Sequence, residues 1–302
     1  MGFRFDPTRP VADAARNVAL ERLDRIVRAL EPERVAADPA DAVHDARKDL
    51  KRLRSLVRLL RPGLAKADRR TTADTLRDVS RGLAARRDAD ALIETLDALG
   101  PASTEALGAE PLDRLRAALT ARAAVPGADE RADLTAAVDA LRPLRERIAL
   151  GLLDGTDADT LVAGLRRTYE QGSQDRATAE ADPTAEHLHE WRKRAKDLWY
   201  QQQLIADAWP AVLTPLYRQA RELAQRLGDD HDLSELARVL RDPDGPAADA
   251  EIDPEALLEL VAARRTALLV VVHAHGDRVY AERPGAFARR TAAWLRAPAP
   301  PD

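Results

Sequence analysis

Two stretches of the chain set a histidine ahead of a run of cations at helical spacing. In AVHDARKDLKRLRSLVRLLRP the residues are His44, Arg47, Lys48, Lys51, Arg52, Arg54, Ser55 and Arg58; in HLHEWRKRAKDLWYQQQLI they are His189, Arg192, Lys193, Lys196 and Tyr200. At 100° per residue, Arg47, Lys48, Lys51, Ser55 and Arg58 cluster about His44, opposite Ala46, Leu50, Leu53, Val57 and Leu60. The second stretch repeats the division, with Trp191, Ala195, Leu198 and Ile205 opposite its cations. Like charges at these spacings repel by a few tenths of a kcal/mol per pair, and a face serving helix stability alone would interleave acids. An anionic ligand relieves the repulsion: guanidinium groups offer forked hydrogen bonds to phosphate-type oxygens and ammonium groups offer compact point charges.

The two stretches are copies. His44-Asp45-Ala46-Arg47-Lys48 aligns with His189-Glu190-Trp191-Arg192-Lys193 at an offset of 145, and Lys51 and Leu53 then meet Lys196 and Leu198. The chain has five lysines against 42 arginines, and four of the five, Lys48, Lys51, Lys193 and Lys196, occupy paired positions in the copies. Elsewhere Arg stands almost everywhere for Lys, so this placement argues for a selected face rather than a generic solvated one. A second block repeats too: LAARRDADALIETL from Leu83 resembles LAQRLGDDHDLSEL from Leu223, with one inserted residue. The copies are unequal, because Arg52 and Arg54 become Asp197 and Trp199.

Apolar residues recur at 3-4 spacing almost throughout and no stretch alternates over strand length, so the chain is expected to be all-α. Breaks are expected at 31–41, 61–63, 100–111, 125–130, 151–157, 181–183, 209–211, 242–254 and at Pro284. An Ala-Asp-Pro precedes each motif, so Asp38 and Asp182 are expected to be N-caps with Pro39 and Pro183 in the first turns. The expected architecture is one domain over 1–302, a helical bundle of two pseudo-symmetric halves, about 10–150 and about 156–298.

Composition narrows the function. A net charge of -4 and a pI near 6.0 exclude a protein that coats nucleic acid with its whole surface, so any anion site is a local patch. Residues 44–61 carry seven Arg or Lys against two Asp, while 242–260 carry seven acids and no base, a stretch able to recruit a partner. There is no Cys, hence no thiolate nucleophile and no Cys-ligated metal. No apolar run of membrane-spanning length or signal-peptide core is present, and the expected setting is the cytoplasm, without membrane contact.

Three other readings compete. Asp229, Asp230, His231 and Asp232 in GDDHDL, and His44-Asp45, could suggest a metal-dependent phosphohydrolase of His-Asp doublet type, but no histidine precedes His44. Helix capping or ion pairing suits those aspartates better. His273 and His275 lie two apart, point in different directions on a helix and are expected in surface or capping roles. No nucleotide-binding or nucleophile-elbow motif occurs. Nucleic acid is drawn to any basic face, but only Tyr200 and Trp199 lie near this one to stack bases, so a polymer without bases fits better.

VHDARKDLKRLR and LHEWRKRAKDLWY resemble the two hallmark helices of the CHAD family, the histidine-bearing α-helical domain. LAARRDADAL and RLGDDHDL resemble its paired Asp-containing turns, and RPGAFARRTAAWLRA its closing helix. The resemblance covers nearly the whole chain and implies two pseudo-symmetric halves, each a four-helix-type bundle, whose basic helices line a central furrow or pore that binds inorganic polyphosphate, with binding rather than turnover. It adds Arg81, Arg87, Arg226 and His231 to the candidate ligand residues, implies no cofactor, no metal and no catalytic residue, and extends the partners to polyphosphate granules and the proteins on them. Members fused to a CYTH triphosphatase rely on a Glu-x-Glu-x-Lys signature, which nothing here matches; Glu31-Pro32-Glu33-Arg34-Val35 is the nearest string.

Overall fold

The computed structural model describes residues 2–83, 88–123 and 130–297, and across them the chain is all-α. Fourteen α-helices occur among the described residues: α1 (Val11–Ala29), α2 (Pro32–Ala37), α3 (Pro39–Leu60), α4 (Lys66–Gly82), α5 (Asp88–Ala98), α6 (Pro101–Leu107), α7 (Ala109–Ala123), α8 (Glu130–Ala149), α9 (Ala158–Ala181), α10 (Ala185–Leu204), α11 (Pro210–Leu240), α12 (Pro246–Asp249), α13 (Glu255–Val279) and α14 (Pro284–Arg296). Three expected breaks, 31–41, 100–111 and 242–254, each contain a short helix opened by a proline at its first position.

The motif helices begin differently. Asp38 caps α3 as expected, its carboxylate accepting from the Asp41 N–H at 3.0 Å. Asp182 does not cap α10. Its own N–H still completes α9 by donating to the Thr178 carbonyl at 3.0 Å, Pro183 lies between the helices, and Thr184 caps α10 by accepting from the His187 N–H at 3.2 Å. The second block also departs from the expected turn, since Leu223 to Leu236 run inside α11, a continuous helix of 31 residues. The aspartates there cap nothing. Asp230, 1% exposed, instead accepts from Arg265 of α13 at 2.8 and 3.2 Å.

Two cores form, and neither follows the sequence halves. The larger joins α1, α3, α4 and α8 with α9, α10, the first part of α11, the end of α13 and α14. The smaller joins α5 and α7 of the first half with the second part of α11, α12 and the start of α13. Within the larger core α1, α3, α4 and α8 of the first half pack on one another in a four-helix ring, and the 31 residues of α11 reach about 45 Å and cross from one core to the other. The acidic 242–260 stretch is part of the second lobe: Asp249 accepts from Arg122 of α7 at 2.6 Å.

Close helix contacts seat the motif helices. Gly164 of α9 lies against Leu59 of α3, where an added Cβ would stand 1.9 Å from the Leu59 carbonyl oxygen. Gly276 of α13 faces the fully buried Trp191 of α10, a Cβ there coming within 2.6 Å of the indole. No helix among the described residues is long and apolar enough to cross a membrane.

Candidate anion-binding site

α3 and α10 pack directly on each other. Ser55 Oγ donates to the Asp197 carbonyl at 3.4 Å, Gln201 Nε2 donates to the Ser55 carbonyl at 3.4 Å, and Arg58 Nη1 donates to both Asp197 carboxylate oxygens. Beside this crossing, a crevice of about 500 Å3 opens between the two lobes. Arg47 and Lys51 of α3, Arg192 of α10, His231 of α11 and Arg264 of α13 line it, with Glu94 of α5 and Asp229 and Asp232 of α11. Arg47 and Arg192 are repeat partners, so the fold brings equivalent cations of both copies to one cavity.

Arg47 and Arg192 both sit against neighbouring backbone. Arg47 donates to the Leu83 carbonyl at 2.8 Å, and the Arg192 guanidinium lies over Gly228 of α11, where an added Cβ would meet it at 3.5 Å. The crevice is less purely basic than the motif helices suggest, because α5 and α11 bring three carboxylates to it. Burial, and then Asp232, push the Asp229 carboxyl above its usual range against the pull of Arg226, Arg192 and Arg264.

His189 stands beside His231, the ring centroids 4.5 Å apart. Both are half-buried. Burial first, then His231, Lys193 and Arg192, depress His189 to about 4; burial and Arg192 likewise lower His231. Nδ1 of His189 is buried without a hydrogen-bond partner among the described residues. This corner therefore holds two neutral imidazoles that an anion can recharge.

The other expected ligand residues are scattered. His44 and Lys48 are exposed on α3, away from the crevice lining. Lys193 donates to Glu190 at 2.5 Å and Arg226 to Glu222 at 2.7 Å, each within its own helix. Arg52 donates to the buried Asp49 at 3.1 Å, and Arg54 to Ser80 at 3.2 Å. Arg81 is exposed and pairs with Asp78 at 3.1 Å. Arg87 lies outside the described residues.

Ser55 and Tyr200 are corrections. Ser55 is wholly buried because α10 crosses α3 over it. Tyr200, 4% exposed, packs edge-on against Phe3 with Lys196 above its ring, and burial pushes its hydroxyl up to about 12. His273 stacks on Trp191, and His275 lies 3.1 Å from Gln219 Oε1. Sequence reasoning missed Arg264; its one signal is the Arg264-Arg265 doublet within the largely apolar middle of α13. Among the described residues no group of three or more His, Asp or Glu is placed to hold a metal ion.

The family profile of the CHAD domain matches residues 17–241. The chain belongs to the CHAD domain family. Among solved structures, this CHAD chain is similar to the crystal structure of the CHAD domain from the plant Ricinus communis, at 22% identity and a TM-score of 0.51, covering 98% of this chain and 95% of that one. At that identity the likeness speaks for the CHAD fold alone. No curated protein matches the chain.

Proposed function

We propose that this CHAD protein binds inorganic polyphosphate in the crevice between its lobes and holds it without turnover. The observation carrying this reading is that repeat-related cations, Arg47 and Arg192, share one cavity with Lys51, Arg264 and His231. Glu94, Asp229 and Asp232 serve as built-in counterions that keep the cations ordered until a stronger polyanion competes for them. Through that ligand the protein would gather on polyphosphate granules.

Nucleic acid is the second reading. It needs exposed aromatic faces for base stacking, but Tyr200 is buried and Trp199 has Arg221 over its ring at 5.4 Å. Hydrolysis has less support, since Asp230 is committed to Arg265 and His231 to the ring of His189. Titration calorimetry against long-chain polyphosphate, tripolyphosphate and single-stranded DNA of matched charge tests the proposal. Long-chain polyphosphate is expected to bind most tightly, with log K falling linearly with log salt and no orthophosphate released with added Mg2+ or Mn2+. Preference for DNA, or orthophosphate release that tracks the protein through purification, overturns it.

A further inference from the structure

Past the crossing of α3 and α10, arginines from four elements converge. Arg61 follows α3 in a short 3-10 turn, Arg69 comes from α4, Arg167 from α9 and Arg194 from α10. Gly164 makes this possible by bringing α9 against the Leu59 backbone, one turn before Arg167 and two residues before Arg61. Arg69 Nη1 reaches the Arg61 carbonyl at 3.4 Å. Partial burial, then Arg61, Arg194 and Arg69, hold the Arg167 guanidinium below the usual arginine range, so the other three charges act on Arg167.

Counterions are scarce. Asp175 accepts from Arg194 Nε at 3.3 Å, and Asp159 and Glu170 share a shallow pocket on α9 with Arg166 and Arg167. Among the described residues no carboxylate forms an ion pair with Arg61, Arg69 or Arg167. Arg61 and Arg167 are exposed and accessible to a ligand.

The cluster is separate from the crevice but aligned with it. Arg192 and Arg194 leave nearly opposite sides of α10, being 200° apart round the helix. On α3, Arg47, Arg54 and Arg58 fall within a stripe about 40° wide that spans about 17 Å along the axis, and Arg61 follows in the 3-10 turn at the end of the helix. Between the ends, Arg54 is also lowered, by burial and then by Arg58 and Arg77, and its guanidinium reaches a hydroxyl rather than a carboxylate.

We propose that Arg61, Arg69, Arg167 and Arg194 form a second phosphate-chain site, reached from the crevice along the arginine stripe of α3, so that only chains long enough to touch both ends gain the full affinity. The idea rests on the crevice being a phosphate-chain site. Once one end is bound, engagement of the second site is effectively intramolecular, which raises affinity with length.

The test is calorimetry of the full chain with long-chain polyphosphate and tripolyphosphate over a salt series. Three variants are compared: Arg61→Glu with Arg167→Glu, the milder Arg61→Gln with Arg167→Gln, and Arg47→Glu with Arg192→Glu. Circular dichroism checks helix content. Both Arg61/Arg167 variants are expected to weaken long-chain binding, the Glu pair by about tenfold or more. The Gln pair should lower the salt slope by about 1.4, at about 0.7 per lost single-strand-type contact. Tripolyphosphate binding in the crevice should stay within about twofold of wild type. Unchanged long-chain affinity and slope in the folded Arg61/Arg167 variants, with the Arg47/Arg192 variant impaired, overturns the second site alone. Insensitivity of polyphosphate binding to Arg47 and Arg192 instead overturns the crevice reading beneath it.

Discussion

Arg58 of α3 donates from Nη1 to both carboxylate oxygens of Asp197 of α10, at 2.7 and 3.0 Å, so the two repeat helices are joined by an ion pair at their crossing. Asp197 stands where the first copy has Arg52. An arginine in both copies would set like charges together at this crossing, and the departure from the repeat has that physical reason. The Asp197 side chain is 6% exposed and that of Arg58 42%. Removing Arg58 strands a buried carboxylate, while removing Asp197 leaves a cation in contact with water. Arg58→Ala is therefore expected to cost about 2 kcal/mol and Asp197→Ala less, read from urea unfolding midpoints at constant m-value. The reverse order would show that the pair does not tie the helices.

Asp49 is the matching hub of the first copy, accepting from Arg25 at 2.8 Å, Arg22 at 2.9 Å and Arg52 at 3.1 Å. Burial opposes its ionisation, but Arg25, Arg22 and Arg52 overcome this and hold the carboxylate below its usual range. A depressed folded-state pKa gives stability that is full above the unfolded value of about 3.9 and is lost as pH falls through the folded value. Asp49→Asn is expected to cost about 3 kcal/mol near neutrality and to flatten the fall in stability below about pH 4. Parallel acid titrations of thermal stability would check this, and an equally steep acid limb in the variant would count against the hub.

His189, held near 4, also loses its contribution on acidification, but over a higher pH window. Its neutral form is favoured in the folded state, so its contribution is full above the unfolded value of about 6.5 and shrinks as pH falls toward 4. A polyanion in the crevice, beside Arg192 and His231, reverses the field and raises this pKa. Polyphosphate binding is expected to take up about one proton and tighten between about pH 6.5 and 4, which calorimetry in buffers of different ionisation enthalpy measures directly. His189→Gln should lose most of the uptake, and unchanged uptake would exclude this ring from the linkage.

Lysines paired by the repeat are not equivalent in the fold. Lys51 lines the crevice, whereas Lys193 is exposed and held by Glu190. Lys51→Glu and Arg192→Glu are each expected to weaken long-chain polyphosphate about tenfold or more, and Lys193→Glu less than threefold. Equal losses at all three positions would point to a diffuse surface field rather than a crevice.

Gly164→Ala tests the seat of α9 on α3. Alanine gains up to about 1 kcal/mol in helix propensity over glycine, but its Cβ would stand 1.9 Å from the Leu59 carbonyl oxygen, a backbone atom that cannot rotate away. The clash is expected to win, with a net loss of about 2 kcal/mol in thermal or chemical unfolding. A neutral or stabilising substitution would mean that the helices stand further apart.

Local rules were sufficient for the helices, the Asp38 cap and the inward faces of α3 and α10, because 3-4 spacing and capping chemistry act within one or two turns. The sequence repeat and the paired lysine positions were also legible in the residues alone. Only packing decided the rest. Ser55 and Arg58 share a sequence stripe, yet α10 buries the one and pairs with the other, since helical angle describes a face but not the helix laid upon it. His189 met His231 from 42 residues away, and Arg264 joined Arg47, because α11 runs through both cores and carries its neighbours with it. The carboxylates of the crevice come from α5 and α11, so its charge balance is a property of the assembled lobes rather than of either motif helix.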